Sequence, residues 1–307
     1  MSGKLTKIWS ALLLYSVLPT PVCLGQEAPI TQADSASLTG LTTPVSVTFS
    51  DGRIVNGSGF FYFELHSDDS KVQGPDWIKI DRTYVVTAKH LIQPTRLRDL
   101  VKFTYAIRVG NQSHVDWHRL ELTGAELGKR LHISQKESVD VAVIDVSDLL
   151  DQEVRQLLGE RIQLLTYTGA TGDQLPGKSP LEVQPGDDVI VIGYPMGLYD
   201  QFNKLPILKK GILSTPMGLH FNGLDAFVLD FKYYEGSSGS LIISKPTHVG
   251  LGKNNEQLWS TNRQFVLLGV YEGETYLNGD QAQLADVGLG WYSYNIEEAI
   301  KNQPVVH

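Results

Sequence analysis

Sulfur is scarce in this chain, and basic residues are in the minority. Of 307 residues, one is cysteine (Cys23) and three are methionine. A lone cysteine cannot close a disulfide within the chain, so the fold has to rest on core burial. Cys23 also falls in an N-terminal segment expected to be removed, which would leave a mature chain with no thiol. Pro21 and Val22 precede it where a lipid-attachment pattern would need small residues. Lysine and arginine number 26 against 34 acids, a net charge of −8, and no basic stripe is present. That balance argues against a nucleic-acid partner.

Long apolar runs are missing as well. The stretch at 8–18 is interrupted by Ser10 and is shorter than the ~20 residues that span a bilayer. There is no heptad pattern and no internal repeat. His114 and His118 are spaced for a helical metal clasp, but Val115, Asp116 and Trp117 between them lack the adjoining glutamate of a metalloprotease helix. Gly57, Gly59, Gly193 and Gly197 form no phosphate-binding loop leading into a helix. No metal and no cofactor are therefore expected.

What is present begins with a basic start, Lys4 and Lys7, followed by the short apolar core and small residues leading to Gly25 and Gln26. This reads as a secretory signal peptide over 1–25, with a secreted or periplasmic destination and no stable membrane anchor after its removal. Loss of the two lysines takes the net charge to −10. Residues 26–44 are polar, lack an apolar period and read as a linker. From residue 45 the chain turns to short β-rich runs, including 45–49, 59–65, 83–87, 103–109, 139–146, 189–193, 226–231, 240–243 and 265–271. Many short strands without long intervening helices indicate an all-β sandwich or barrel. Two helices are expected. One follows Ser147 and stops at Gly159; the other, at 295–302, carries Glu297 and Glu298 near its positive N-terminal end.

Three local patterns carry chemistry. Val85-Val86-Thr87-Ala88-Lys89-His90 is an apolar strand ending in an imidazole. Val139-Asp140-Val141-Ala142-Val143-Ile144 sets a carboxylate at the start of an apolar strand. Gly236-Ser237-Ser238-Gly239-Ser240 is a glycine-flanked turn before a strand. A serine hydroxyl needs a neighbouring base to take its proton, and the base needs a carboxylate to hold its tautomer. Asp145 is the rival to Asp140, but it lies five residues further along and so on the opposite strand face, next to Ser147.

These boxes, in the order His, Asp, Ser, resemble those of the trypsin-like serine proteases, and in particular the bacterial Deg-type branch without a PDZ domain. Thr87-Ala88-Lys89-His90 is similar to the family's Thr-Ala-Ala-His, Asp140-Val141-Ala142-Val143 to its Asp-Ile-Ala-Leu, and Gly236-Ser237-Ser238-Gly239-Ser240 to its nucleophile turn. Gly193-Tyr194-Pro195-Met196-Gly197 followed by Gly211-Ile212-Leu213-Ser214 is similar to a further Deg-type pair. Ser240 departs from the family's usual glycine.

The resemblance implies two six-stranded antiparallel β-barrels with a C-terminal helix, over 45–165 and 166–303. It implies peptide-bond hydrolysis of a polypeptide substrate by His90, Asp140 and Ser238, through an acyl-enzyme. The N–H groups of Gly236 and Ser238 would form the oxyanion hole. By analogy, segments 231–235 and 269–273, with Phe231, Lys232, Gly269, Val270 and Tyr271, would line the specificity pocket, Lys232 pointing to an acidic preference. The alternatives are a catalytically silent binding protein on the same fold and a secreted β-rich scaffold.

Overall fold

A computed structural model describes residues 38–66, 79–111, 114–160, 162–166, 168–232, 234–276 and 283–305. The expected signal segment and most of the linker lie outside these residues.

The first half of the chain builds one sheet. Its strands are β1 (Thr42–Phe49), β2 (Ile54–Leu65), β3 (Ile80–Ala88), β4 (Leu100–Asn111), β5 (His114–Leu122), β6 (Leu131–Ile133), β7 (Val141–Asp145), β8 (Gln163–Thr166) and β9 (Ala170–Thr171). They run in the order β5-β4-β1-β2-β3-β7-β6, with β8 added beside β4 and β9 beside β2. Alternation sets the inward face: Val45, Val47 and Phe49 of β1 are buried, while Ser46 and Thr48 between them are only partly so. Leu120 and Leu122 from one end of the sheet share a core with Leu131 from the other end, around Phe61, Val85 and Phe103. The sheet therefore curls on itself and is sealed by side chains, with nine strands where six were expected.

In the second half, β10 (Asp188–Gly193), β11 (Ile207–Leu213), β12 (Ala226–Asp230), β13 (Leu241–Ser244), β14 (Thr247–Leu251), β15 (Gln257–Gln264), β16 (Leu267–Tyr276) and β17 (Gln283–Tyr292) follow. Six of them close a barrel in the order β10-β11-β12-β17-β16-β13, and β14 with β15 forms a separate hairpin. The molecule is an all-β, two-barrel fold with a C-terminal helix.

The helices are short: α1 (Lys89–Ile92), α2 (Gly124–Gly128), α3 (Ser147–Gly159) and α4 (Tyr294–Lys301). The C-terminal α4 follows the second barrel in sequence, yet it lies against β6 and β7 of the first half. Ile296 and Ala299 enter a core shared by both halves. Asn302 donates to the Ile133 carbonyl at 2.8 Å and accepts from His132 Nδ1 at 2.8 Å, while Lys178 reaches Glu297 at 2.6 Å.

Strand β7 explains why a run apolar at every position is needed. Ala142 and Ile144 face the core of the first half. Val141 and Val143 face the shared core, beside Ile192, Leu241 and Trp291. Both faces are buried, so a polar residue is tolerated only at the strand's ends, where Asp140 and Asp145 stand. Ile144→Ala, at a fully buried position, should cost about 2–5 kcal/mol. Leu158→Ala, on the exposed side of α3, should stay within ~0.5 kcal/mol. Urea unfolding of the two variants checks the difference, and equal midpoints would contradict the two-faced burial of β7.

Candidate active site

His90 stands in α1, the single helical turn that follows β3. Asp140 precedes β7, the strand paired with β3, and the register sets Ala88 opposite Val141. Imidazole and carboxylate therefore meet at one end of the sheet. Asp140 Oδ1 accepts the His90 backbone N–H at 2.7 Å, and Oδ2 accepts Nδ1 at 2.6 Å. A carboxylate only accepts, so Nδ1 carries the proton and the neutral ring offers Nε2 as a base. Asp140 is 7% exposed, whereas the His90 side chain is 48% exposed. The Lys89 ammonium donates to the Glu137 carbonyl at 2.8 Å.

Asp145 is occupied elsewhere. Its carboxylate takes Arg82 at 2.8 Å and the Ser147 hydroxyl at 2.6 Å, at the start of α3.

Ser238 sits in the turn before β13. Gly236 and Gly239 hold φ of +81° and +83°, a region that side chains disfavour. A Cβ on Gly239 would come within 2.1 Å of the Ser58 carbonyl oxygen. The turn lies against Thr87 and Ala88, just before His90. Gly239 N–H donates to the Tyr271 carbonyl at 2.7 Å, and the Ser238 carbonyl accepts Ser58 N–H at 2.8 Å. Among the described residues, the N–H groups of Gly236 and Ser238 have no acceptor. The Glu235 carbonyl accepts from Met196 N–H, which turns the peptide between 235 and 236 so that its N–H points the other way. The Ser238 hydroxyl donates to the Glu272 carbonyl at 2.8 Å and makes no hydrogen bond to His90.

Ser58 belongs to none of the sequence boxes. It is fully buried in β2; its hydroxyl donates to the Gly236 carbonyl at 2.9 Å and accepts Tyr194 N–H at 2.8 Å. Its carbonyl accepts the Thr87 hydroxyl at 2.7 Å. One residue of the first half thus fixes the turn of the second. The available signal was a serine between two glycines inside a strand, Gly57-Ser58-Gly59. A Cβ on Gly57 would strike Leu91 at 2.3 Å, and one on Gly59 would crowd the Val86 carbonyl at 3.0 Å.

A family model, the trypsin-like peptidase domain, matches residues 57–249. The chain belongs to the trypsin-like peptidase family. No curated protein matches it. Solved structures that resemble it include an HtrA-type protease, AlgW, with a tripeptide, at 13% identity and a TM-score of 0.42, covering 88% of this chain and 62% of that one. Deg5 aligns at 14% identity and a TM-score of 0.38, over 77% of this chain and 80% of its own. Catalytically active tobacco etch virus protease complexed with product aligns at 10% and 0.43, over 88% of this chain and 80% of its own. This trypsin-like chain spans 62% of the HtrA-type protease's length.

The residues expected to line a pocket mostly do not. Phe231 and Tyr271 are buried in the second barrel, their rings edge-to-face at 5.0 Å. Val270 is fully buried in the shared core, and a Cβ on Gly269 would sit 1.9 Å from the Trp291 carbonyl oxygen. These four are packing residues, a correction to the expected pocket: the strand is covered on both faces as far as Tyr271. Lys232 is exposed, and its carbonyl accepts Lys209 Nζ at 3.0 Å. His114 and His118 also do not meet on a helix: both lie on β5, and His118 Nε2 pairs with Glu153 at 2.8 Å.

Two titratable groups are perturbed. Burial pulls the His90 pKa down, but the Asp140 hydrogen bond and charge, with Glu272 behind them, outweigh it, and the net shift is upward from 6.5. Glu272 is pushed up to about 7, first by burial and then by the charge of Asp140. Glu272, too, was not foreseen.

Ser58→Ala would strip partners from the buried Gly236 carbonyl and Tyr194 N–H, at about 1–3 kcal/mol for each group left unsatisfied. Urea unfolding should register that loss; an unchanged midpoint would mean the clamp carries no weight.

Proposed function

We propose that the chain is an exported serine endopeptidase that cleaves peptide bonds through an acyl-enzyme, with Ser238 as nucleophile, His90 as base and Asp140 as its orienter. The observation that carries this reading is the imidazole fixed on a buried carboxylate through both its ring and its backbone N–H, beside a glycine-flanked serine turn with two undirected N–H groups. In the cycle, the Ser238 hydroxyl leaves the Glu272 carbonyl and gives its proton to Nε2 as its oxygen attacks the substrate carbonyl. The N–H groups of Gly236 and Ser238 receive the oxyanion, each worth about 3–4 kcal/mol. His90 returns the proton to the departing amine, and water, activated by the same base, releases the acyl group. Substrate is a polypeptide; Lys232, exposed near the turn, is the residue that favours an acidic side chain. The basic start and short apolar core of residues 1–25 support export to a secreted or periplasmic location.

A silent binding protein on the same fold is the second reading, favoured by the Ser238 hydroxyl's engagement with a backbone carbonyl. A fluorophosphonate probe separates the two. Wild type should label at one serine and Ser238→Ala should not, while Ser237→Ala and Ser240→Ala, buried in the turn but outside the proposed triad, should stay within about tenfold of wild type. Asp140→Asn should reduce turnover by on the order of 10⁴, and Asp145→Asn should cost little. The neutral imidazole is the active form and its proton affinity is raised, so activity should fall as pH drops through a value above ~6.5. Absence of labelling in folded wild type would favour the silent protein, and equal effects of the two aspartates would remove Asp140 from its role.

A further inference from the structure

Strand β16 does not run straight past the serine turn. Tyr271 pairs with Gly290 and Gly273 with Leu289, which leaves Glu272 as the extra residue of a bulge. Bulges bend a strand and re-aim a side chain. This one follows the carbonyl of Tyr271 that holds Gly239, and its own carbonyl holds the Ser238 hydroxyl. The Glu272 side chain comes under the charges of Asp140, His90 and Lys89 and meets the indole N–H of Trp291 from β17. Its Oε2 is buried and has no hydrogen-bond partner among the described residues. Lys89, the only cation among those neighbours besides His90, has its ammonium on the Glu137 carbonyl.

A buried carboxyl oxygen without a hydrogen-bonding partner needs a reason to stay. Two carboxyls beside one imidazole oppose each other when both are ionised, yet each favours a proton on the ring. We propose that Glu272 is a positioning residue of the proposed peptidase site: held by the bulge near His90 and Asp140, its charge state sets how firmly His90 holds a proton. When Glu272 is ionised, two carboxylates stabilise the imidazolium; when it is protonated, Asp140 acts alone. The raised proton affinities of Glu272 and His90 agree with that arrangement. The two groups then titrate as a pair and not as independent sites.

The proposal rests on the peptidase reading only for its catalytic consequence, so the test is made on the ring itself. The mature chain carrying isotope-labelled histidine is titrated by NMR, as wild type and as Glu272→Gln. The His90 inflection should move to lower pH in the variant, toward the ordinary value near 6.5, and the acidic limb of activity should move with it. Coincident His90 curves in the two folded proteins would overturn the proposal. If Glu272→Gln fails to fold, Glu272→Ser serves the same comparison. Wild type alone gives a further check through the Glu272 side-chain carbon, and titration in the ordinary carboxylate range near 4.3 would also overturn it. A chain that shows the His90 shift but labels with no phosphonate would fail as a peptidase while keeping this electrostatic coupling.

Discussion

A buried hydroxyl holds the two halves in working order. Ser58 belongs to the sheet of the first half, yet three of its polar groups meet the turn that carries Ser238 or the strand that leads into His90. Its neighbours must be glycine because side chains there would strike Leu91 or Val86. The glycines of the turn meet the same constraint from the other side, Gly239 against Ser58 and Gly236 against Tyr194 and Met196. Neither half can hold the geometry alone. The shared core, with Val141 and Val143 on one side and Leu241 and Trp291 on the other, supplies the apolar burial that brings the polar clamp into register. The helix α4, tied by Asn302 and Glu297, closes the same interface.

How much of this could be read from residue order depends on what was local. Strand β7 was legible as an unbroken apolar run with an aspartate before it, and α3 as a 3.6-residue period stopped by Gly159. The turn at 236–240 was legible because glycine placement there is a backbone requirement. Ser58 was not, since its importance arises from partners 178 and 136 residues away. Glu272 was hidden for another reason: a bulge shifts the register there by one, and the family analogy set the neighbouring Val270 and Tyr271 in the pocket, whereas both are core. The first half already holds seven strands in its main path, and β8 and β9 return from later sequence to add to β4 and β2, pairings that no short window contains.

The electrostatics of the site follow from the same packing. Burying Asp140 at the end of an apolar strand costs solvation, and its hydrogen bonds to His90 repay it only while the carboxylate accepts from both donors. Adding Glu272 nearby raises the local demand for protons, in a chain already acidic overall. A site of this kind is poised against acid: each proton taken up either blocks the base or weakens its support.

The central claim is that chemistry at Ser238 passes through a covalent acyl group, and the mass of the protein during turnover tests it most directly. With an activated ester as substrate and acid quenching within the first turnovers, intact mass should show one acyl group added per chain, absent from Ser238→Ala. Ester turnover by the folded chain with no acyl adduct at any quench time, or an adduct that survives in Ser238→Ala, would contradict the account.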